Sequence, residues 1–148
     1  MSNGLPIVYL AARYRRFREL QVYRDALRAA GFDVRARWVD GEHEMVDGVA
    51  PVEQSRRFAM EDLSDLYSAR IVINFTEHPG PVDTPSRGGK DVEFGIALAL
   101  AIEAVNAGAE YRVCIVGPRR NVFHCLGIVE QYDTWPECLA ALQRTVER

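Results

Sequence analysis

The fold of this chain is decided by residues 88–101, which read Gly-Gly-Lys-Asp-Val-Glu-Phe-Gly-Ile-Ala-Leu-Ala-Leu-Ala. Between Phe94 and Val105 the only strongly polar side chain is Glu103, so this run predicts a helix with little surface facing water. We predict that Glu93 lies in its first turn, where the positive end of the helix dipole favours an ionised carboxylate. Such a carboxylate suits a nucleophile or a charge stabiliser. The alternative is a charge that only stabilises the end of the helix.

The composition is that of a globular protein with one domain, residues 1–148. Apolar residues make up 48% of the chain and charged residues 26%, which is ordinary for such proteins. The net charge of -3 argues against a broad basic surface and so against a nucleic-acid partner. No window approaches the ~18 uninterrupted apolar residues of a membrane span, and residues 1–4 do not begin a signal peptide. We therefore predict no membrane partner.

The three cysteines, Cys114, Cys125 and Cys138, are widely spaced and lie among apolar residues. No Cys-x-x-Cys pair occurs in the sequence. We interpret all three as buried free thiols in a reducing compartment, and we predict a cytoplasmic protein. A catalytic cysteine is the less favoured alternative.

Short strand-forming runs alternate with helical patterns along the whole chain. The predicted strands are residues 6–12, 32–38, 71–75, 111–116 and 128–132, and the predicted helices are about 20–30, 52–69, 93–105 and 135–144. In the second helix we place Ala59, Leu63, Leu66 and Ala69 on the inner face. Residues 32–38 alternate between apolar and charged, which is typical of an edge strand. This order predicts a three-layer α/β fold of the flavodoxin or Rossmann-like type around a parallel sheet of roughly five strands.

In such a sheet a ligand binds at the carboxyl edge of the strands. The loops predicted at that edge are residues 12–16, 74–89 and 117–124, and Glu93 follows the second of them. The sequence has no dinucleotide-binding glycine motif, no P-loop and no serine-nucleophile motif. The remaining carboxylates, arginines and hydroxyls suit glycosyl chemistry, in which one carboxylate attacks or steadies a sugar cation and an acid protonates the leaving group.

The three histidines, His43, His78 and His124, lie on separate predicted loops without the spacing of metal ligands. We interpret Glu42-His43-Glu44 as a solvated loop rather than a metal site. Neither a metal ion nor an organic cofactor is predicted.

Three short motifs resemble a known family. Tyr9-Leu10-Ala11 follows an apolar strand, Glu61-Asp62-Leu63 lies on the helix before the third strand, and residues 92–97 place a glutamate in a helix of small residues. Together they resemble the nucleoside 2-deoxyribosyltransferase superfamily, which contains the transferases and related deoxynucleoside-monophosphate N-glycosidases. The resemblance covers residues 7–132, most of the chain.

The resemblance implies a role for four residues. Glu93 matches the nucleophile that attacks the anomeric carbon, and Asp62 matches an aspartate that handles a proton at the leaving base. Tyr9 resembles a tyrosine that lines the pocket. Asn121 resembles an asparagine that the transferases contribute across a subunit interface, which implies a homodimer or a larger homo-oligomer. The alternatives are a solvated helix carboxylate for Asp62, a core tyrosine for Tyr9 and a turn residue for Asn121.

The sequence departs from the family pattern in the loop before the nucleophile. The transferases carry an aspartate where this chain has Arg87. The monophosphate glycosidases have a phosphate-binding serine in this loop, which Ser86 resembles. We therefore predict that Ser86, Arg87 and the neighbouring Gly89 contact a 5′-phosphate, since hydroxyl, guanidinium and backbone amide groups all suit that anion. Arg13 and Arg15, together with Arg16 and Arg18, are further candidates for an anionic ligand, and a solvated basic helix start is the alternative.

The predicted function is cleavage of the N-glycosidic bond of a (deoxy)nucleoside or nucleotide through a glycosyl-Glu93 intermediate, with transfer to another base. One alternative is hydrolysis of deoxynucleoside 5′-monophosphates without transfer. Another is a nucleotide-binding protein without turnover. The small-molecule partner is a nucleoside or nucleotide in each case.

Overall fold

The computed structural model describes residues 4–43, 51–79 and 88–147. These residues form five strands and four α-helices. The strands are β1 (Ile7–Ala11), β2 (Asp33–Val34), β3 (Ile71–Phe75), β4 (Arg112–Val116) and β5 (Val129–Tyr132). The helices are α1 (Phe17–Ala29), α2 (Val52–Ser68), α3 (Gly89–Asn106) and α4 (Trp135–Val146). Short 3₁₀ turns cover Tyr14–Arg16, Arg37–Asp40 and Val122–Cys125.

The five strands form one parallel sheet in the order β2-β1-β3-β4-β5. The predicted α/β fold with a five-stranded parallel sheet is confirmed. Every residue of the central strand β3 is buried, as expected for a strand covered on both faces.

Helices cover both faces of the sheet. On one face α2 and α3 contact each other. On the other face the ring of Tyr23 in α1 stacks between those of Phe75 and Trp135, at centroid distances of 5.3 and 4.6 Å, which joins α1 to α4 across β3. Successive side chains of a strand point to opposite faces, so Asn74 points away from this stack. Its amide indeed bonds the backbone of α3 at Lys90.

The predicted edge strand at residues 32–38 is shorter than expected. Only Asp33–Val34 pairs with β1, and the chain then turns into the 3₁₀ segment Arg37–Asp40. The indole Nε1 of Trp38 donates a hydrogen bond of 2.8 Å to the carbonyl of Leu10, which holds this segment over the end of β1. The alternation of buried and exposed residues persists through residue 38, and the predicted edge position is confirmed.

The inner face of α2 differs from the prediction. Leu66 and Ala69 are buried as predicted, whereas Ala59 and Leu63 are exposed. The helix is rotated so that Asp65 faces inward, because the guanidinium and backbone N–H of Arg37 bind its carboxylate at 2.9–3.1 Å. A buried carboxylate, paired with a half-exposed arginine, therefore takes a place that the hydrophobic pattern assigned to apolar residues.

One face of α3 packs on the sheet and the other is open. Its inner face buries five apolar side chains: Phe94, Ala97, Leu98, Ala101 and Ala104. Val92, Ile102 and Val105 are exposed, so the prediction that little of this helix faces water is wrong for the single chain. In the described part of the chain, no helix combines the length and apolarity needed to cross a bilayer.

The start of the last helix and two of the three cysteines match their predictions. Thr134 caps α4 by accepting a hydrogen bond from the backbone N–H of Glu137. Cys114 and Cys138 are buried free thiols, but Cys125 is exposed because the 3₁₀ turn Val122–Cys125 lies on the surface.

Candidate active site

Glu93 lies in the second turn of α3, whereas the sequence predicted the first. The helix begins at Gly89, after Gly88 with a left-handed φ of 83°. Its first turn accommodates Lys90 and Asp91, so the acid nearest the helix terminus is Asp91. Because α3 follows β3 in a parallel sheet, its first turns lie at the carboxyl edge of the strands, where ligands bind.

Burial dominates the ionisation of Glu93. It raises the pKa of the carboxyl group from 4.5 to about 8 and so opposes the ionised form that the helix dipole was expected to favour. The helix dipole acts mainly within the first turn, whereas loss of hydration disfavours a carboxylate wherever it is buried. Glu93 is therefore mostly protonated at pH 7 and must lose that proton before it can attack a carbon atom.

Tyr9 connects β1 to this carboxyl group. Its ring is fully buried, and its hydroxyl donates a hydrogen bond to Oε2 of Glu93. The family-based interpretation of Tyr9 and its alternative as a core residue are thus compatible, because a core ring carries the hydroxyl that contacts the acid. A hydrogen bond donated to a carboxylate favours its ionised form, so the Tyr9 hydroxyl is placed to stabilise the carboxylate once Glu93 has lost its proton.

A second cluster joins His43 to two acids of α2. Nε2 of His43 lies 2.8 Å from Oε2 of Glu61, and its Nδ1 lies 3.1 Å from Oδ1 of Asp62. The second distance is that of an ion pair, but the orientation of the two groups is not that of a hydrogen bond. His43 is only 8% exposed, and its ring stacks on Phe58 at 4.4 Å. The interpretation of His43 as a residue of a solvated loop is wrong.

The local backbone explains how His43 reaches α2. Gly41 ends the 3₁₀ segment with a left-handed φ of 88°, a conformation that favours glycine. A Cβ atom at Gly41 would lie 3.0 Å from the ring of Phe17, so glycine also gives room for this turn. The turn directs the next residues toward α2.

Asp62 has the electrostatic character of a proton donor. Burial raises its pKa to about 6, and the charge of His43 partly offsets that effect. Asp62 is partly exposed, so it lies between the solvated helix carboxylate of the alternative and a fully buried acid. Perturbed carboxyl groups of this kind cluster at functional sites.

The predicted arginine candidates follow β1. Arg13 is partly buried and Arg15 is exposed. The guanidinium of Arg16 bonds the carboxylate of Glu19 at 2.8–2.9 Å and that of Glu77 at 3.3 Å. Arg16 thus already has anionic partners within the chain.

The phosphate-loop candidates lie mostly beyond what the structure describes. Ser86 and Arg87 lie outside the described residues. Gly89 is exposed as the first residue of α3. It precedes Glu93 by about one helical turn. Its exposed backbone at a helix N-terminus is chemically suited to an anion.

Asn121 caps its own 3₁₀ turn. Its Oδ1 accepts hydrogen bonds from the backbone N–H groups of Phe123 and His124 at 2.9 and 3.2 Å, and its Nδ2 lies 3.3 Å from Nε2 of His124. The buried His124 ring meets the edge of Phe94 at 4.8 Å, which places this turn beside α3. Burial lowers the pKa of His124. The turn role predicted as the alternative for Asn121 is present.

The structure brings the predicted site residues into two groups. Glu93 and Tyr9 form one, and Asp62 forms the other with His43 and Glu61; α2 and α3, which carry the acids, contact each other. Sequence reasoning missed His43 as a partner of Asp62, because the sequence around His43 gave no sign that this residue contacts α2. In residues 4–43, 51–79 and 88–147, no cluster of three His, Cys, Asp or Glu side chains is arranged to hold a metal ion.

Two solved structures are similar to this fold. One is the 2-deoxyribosyltransferase of Bacillus psychrosaccharolyticus, with a TM-score of 0.64 and 17% identity over 92% of this chain and 95% of that chain. The other is the CMP N-glycosidase BcmB of Clostridium botulinum, with a TM-score of 0.56 and 18% identity over 93% of this chain and 98% of that chain. No family model and no curated protein matches the sequence.

Both neighbours belong to the nucleoside 2-deoxyribosyltransferase superfamily. The resemblance that the three sequence motifs suggested is therefore confirmed at the level of the fold, over nearly the whole chain. At 17–18% identity the shared fold does not by itself transfer a reaction.

Proposed function

We propose that this protein is a nucleoside 2-deoxyribosyltransferase-like enzyme that cleaves the N-glycosidic bond of a (deoxy)nucleoside or nucleotide and transfers the sugar to another base. The observation that carries the proposal is the Glu93 carboxyl group, buried at the start of α3 and bonded by the Tyr9 hydroxyl. It occupies the carboxyl edge of a sheet whose fold is shared with a 2-deoxyribosyltransferase and a CMP N-glycosidase.

The proposed reaction has two displacements at C1′ of the sugar. In the first, a carboxylate oxygen of Glu93 forms a bond to C1′ while the C1′–N bond breaks, and its electron pair stays on the base nitrogen. Asp62 supplies the proton for the departing base, since its raised pKa allows a protonated fraction near neutral pH. In the second, a nitrogen of the acceptor base attacks C1′ while the bond between C1′ and Glu93 breaks, and its electron pair returns to the Glu93 carboxylate. The proton of the acceptor base passes to Asp62, which the first step left ionised.

A second candidate function is hydrolysis of nucleoside 5′-monophosphates, in which water replaces the acceptor base. Two observations support hydrolysis: the similarity to a CMP N-glycosidase and the residues Ser86 and Arg87 in the loop before α3. In that reaction these residues, Gly89 and the arginines Arg13 and Arg15 contact the phosphate. A protein that binds nucleotides without turnover is the third outcome of the test.

The test is base release measured by chromatography from deoxynucleosides and their 5′-monophosphates, with CMP included. We expect base exchange when an acceptor base is added, and little free sugar without one. Release from monophosphates alone, unaffected by the acceptor, would replace transfer by hydrolysis. If no substrate releases a base but a monophosphate raises the melting temperature Tm, the binding protein replaces the enzyme.

We also propose that a second copy of this chain covers the open face of α2 and α3, giving a homodimer or a larger homo-oligomer. Exposed apolar side chains follow one side of α2 at spacings of three and four: Met60, Leu63 and Tyr67. The outer side of α3 adds Val92 and Ile102. Exposed apolar stripes on adjoining helices are typical of an interface. Asn121 remains the candidate for a residue that acts across it, with its exposed side chain.

Charges on this stripe should separate the copies. We expect the double variant Met60→Glu, Tyr67→Glu to sediment as a monomer at concentrations where the wild type sediments as a dimer or larger, because buried unpaired carboxylates oppose association. The matched control is Gln54→Glu, which adds a charge at an exposed position of the same helix. A wild-type chain that sediments as a monomer at tens of micromolar would contradict the assembly.

A further inference from the structure

Asn74 is a polar residue in β3, the central strand, in which every residue is buried. The other residues of β3 are Ile71, Val72, Ile73 and Phe75, all buried. Asn74 itself is only 1% exposed. An asparagine here loses hydration without gaining the packing that a β-branched residue would give in a central strand. Some other contact must favour it.

The two halves of the Asn74 amide differ in their partners. Nδ2 donates a hydrogen bond of 2.8 Å to the backbone carbonyl of Lys90. Oδ1 is buried and accepts no hydrogen bond from the described residues. A buried acceptor without a partner destabilises the folded chain, so among the described residues an apolar side chain at this position would serve stability better. Only the donor group of the amide, Nδ2, makes a hydrogen bond to the described residues, and that bond joins β3 to α3.

The contact lies within one helical turn of Glu93. The Lys90 carbonyl is in the first turn of α3, where helical geometry pairs it with the N–H of Phe94, the residue after Glu93. Gly88, the N-cap, has no side chain with which to cap this end of the helix. The bond from Asn74 therefore ties the first turn of α3, which directly precedes Glu93, to the central strand.

Asn74 and Tyr9 act on the same helix from neighbouring strands. The strand register pairs Tyr9 with Val72 and Ala11 with Asn74, so Tyr9 and Asn74 project from the same face of the sheet. Tyr9 contacts the side chain of Glu93, and Asn74 contacts the backbone one turn earlier. The two contacts fix the carboxyl group and its helix from two strands.

We propose that Asn74 is a positioning residue that holds the first turn of α3, and hence the Glu93 carboxyl group, in place for attack on the sugar. This inference rests on the proposed function. Asn74 would then lower the stability of the fold but raise the rate of the reaction. The effect on the rate is large because a displacement of about 1 Å at a reacting group can reduce a rate about 100-fold.

The test compares Asn74→Val with Asn74→Asp. Valine removes both the unsatisfied oxygen and the donor, and the Lys90 carbonyl keeps its helical partner. We expect Asn74→Val to have an equal or higher Tm but a kcat reduced about 10- to 100-fold, with KM changed less than about 3-fold. Aspartate places a second acceptor against the carbonyl, so both Tm and kcat should fall. If Asn74 were only structural, kcat at a temperature well below Tm would stay at the wild-type value in Asn74→Val.

A second measurement does not depend on turnover. In Asn74→Val the backbone amides of residues 91–94 should exchange with deuterium at least about 10-fold faster than in the wild type, although Tm is equal or higher, because the first turn of α3 has lost its anchor. The amides of residues 98–104 serve as the internal control and should not change. If the wild-type chain releases no base, the proposed function is overturned. Amide exchange at residues 91–94 would still show whether the hydrogen bond from Asn74 anchors the first turn of α3. Unchanged exchange at residues 91–94 together with unchanged kcat would overturn the role of Asn74.

Discussion

Glu93→Gln should lower base release at least about 1,000-fold and at the same time raise Tm at alkaline pH. The loss of activity follows because an amide cannot form the glycosyl intermediate, and removal of a nucleophile costs several powers of ten in rate. The gain in stability follows from the pKa of Glu93, which burial raises from 4.5 to about 8. Glutamine keeps the shape of the side chain and an oxygen for the Tyr9 hydroxyl.

The sign of the stability effect can be derived from proton binding. Between pH 4.5 and about 8 the folded chain keeps the Glu93 proton that the unfolded chain has lost, so the free energy of unfolding decreases as pH rises through this window. Each pKa unit corresponds to about 1.4 kcal/mol, and about 1 kcal/mol moves Tm by roughly 2–4 °C in a domain of this size. We expect Glu93→Gln and wild type to have equal Tm at pH 4, and Glu93→Gln to be higher by at least about 3 °C at pH 8.5.

The matched control is Glu103→Gln, on an exposed position of the same helix. It should change neither base release nor the dependence of Tm on pH. Thermal melts across pH 4–9 and chromatographic assays of the three proteins give both readouts. Wild-type turnover in Glu93→Gln would exclude Glu93 as the nucleophile, and a parallel pH dependence of Tm would show that the carboxyl group is not buried in its neutral form.

Most of the sheet could be predicted from the sequence because its strands are buried on both faces. Such strands are short continuous apolar runs, and residues 71–75 form β3 with the predicted bounds. The edge strand was predicted at 32–38 but pairs only at Asp33–Val34. The alternating pattern reports which side chains are buried, but it does not show whether the backbone pairs with a neighbouring strand. Here the segment is held by the hydrogen bond from Trp38 to the carbonyl of Leu10.

The candidate site was less predictable because it depends on contacts between distant residues. The motif around Glu93 pointed to this residue as the candidate acid, but its pKa is raised by burial, which a local pattern does not report. His43 lies 18 residues from Glu61 in sequence, and Asn74 lies 16 residues from Lys90. A signal for Asn74 exists in hindsight, since it is the one amide within the apolar run 71–75.

Asp62→Asn should lower base release at least about 100-fold at pH 7 and change the shape of the pH profile. In the wild type the productive form needs Glu93 ionised and Asp62 protonated, and the two pKa values are about 8 and about 6. Each condition holds in about one molecule in ten at pH 7, so about one in a hundred is productive. The kcat/KM of the wild type should therefore be bell-shaped, with a plateau between about pH 6 and 8. In Asp62→Asn the second condition disappears, and the residual kcat/KM should rise through about pH 8 and then stay level.

His43 gives the second variant of this test, because its charge lowers the pKa of Asp62. His43→Gln removes that charge, so Asp62 should keep its proton to higher pH and the lower end of the plateau should move upward from about 6. Asp25→Asn, at an exposed position of α1, is the matched control and should keep the wild-type profile. A profile for Asp62→Asn that still falls above pH 8 would assign the proton to another group. A plateau unmoved in His43→Gln would show that the ion pair at 3.1 Å does not tune the acid that protonates the leaving base.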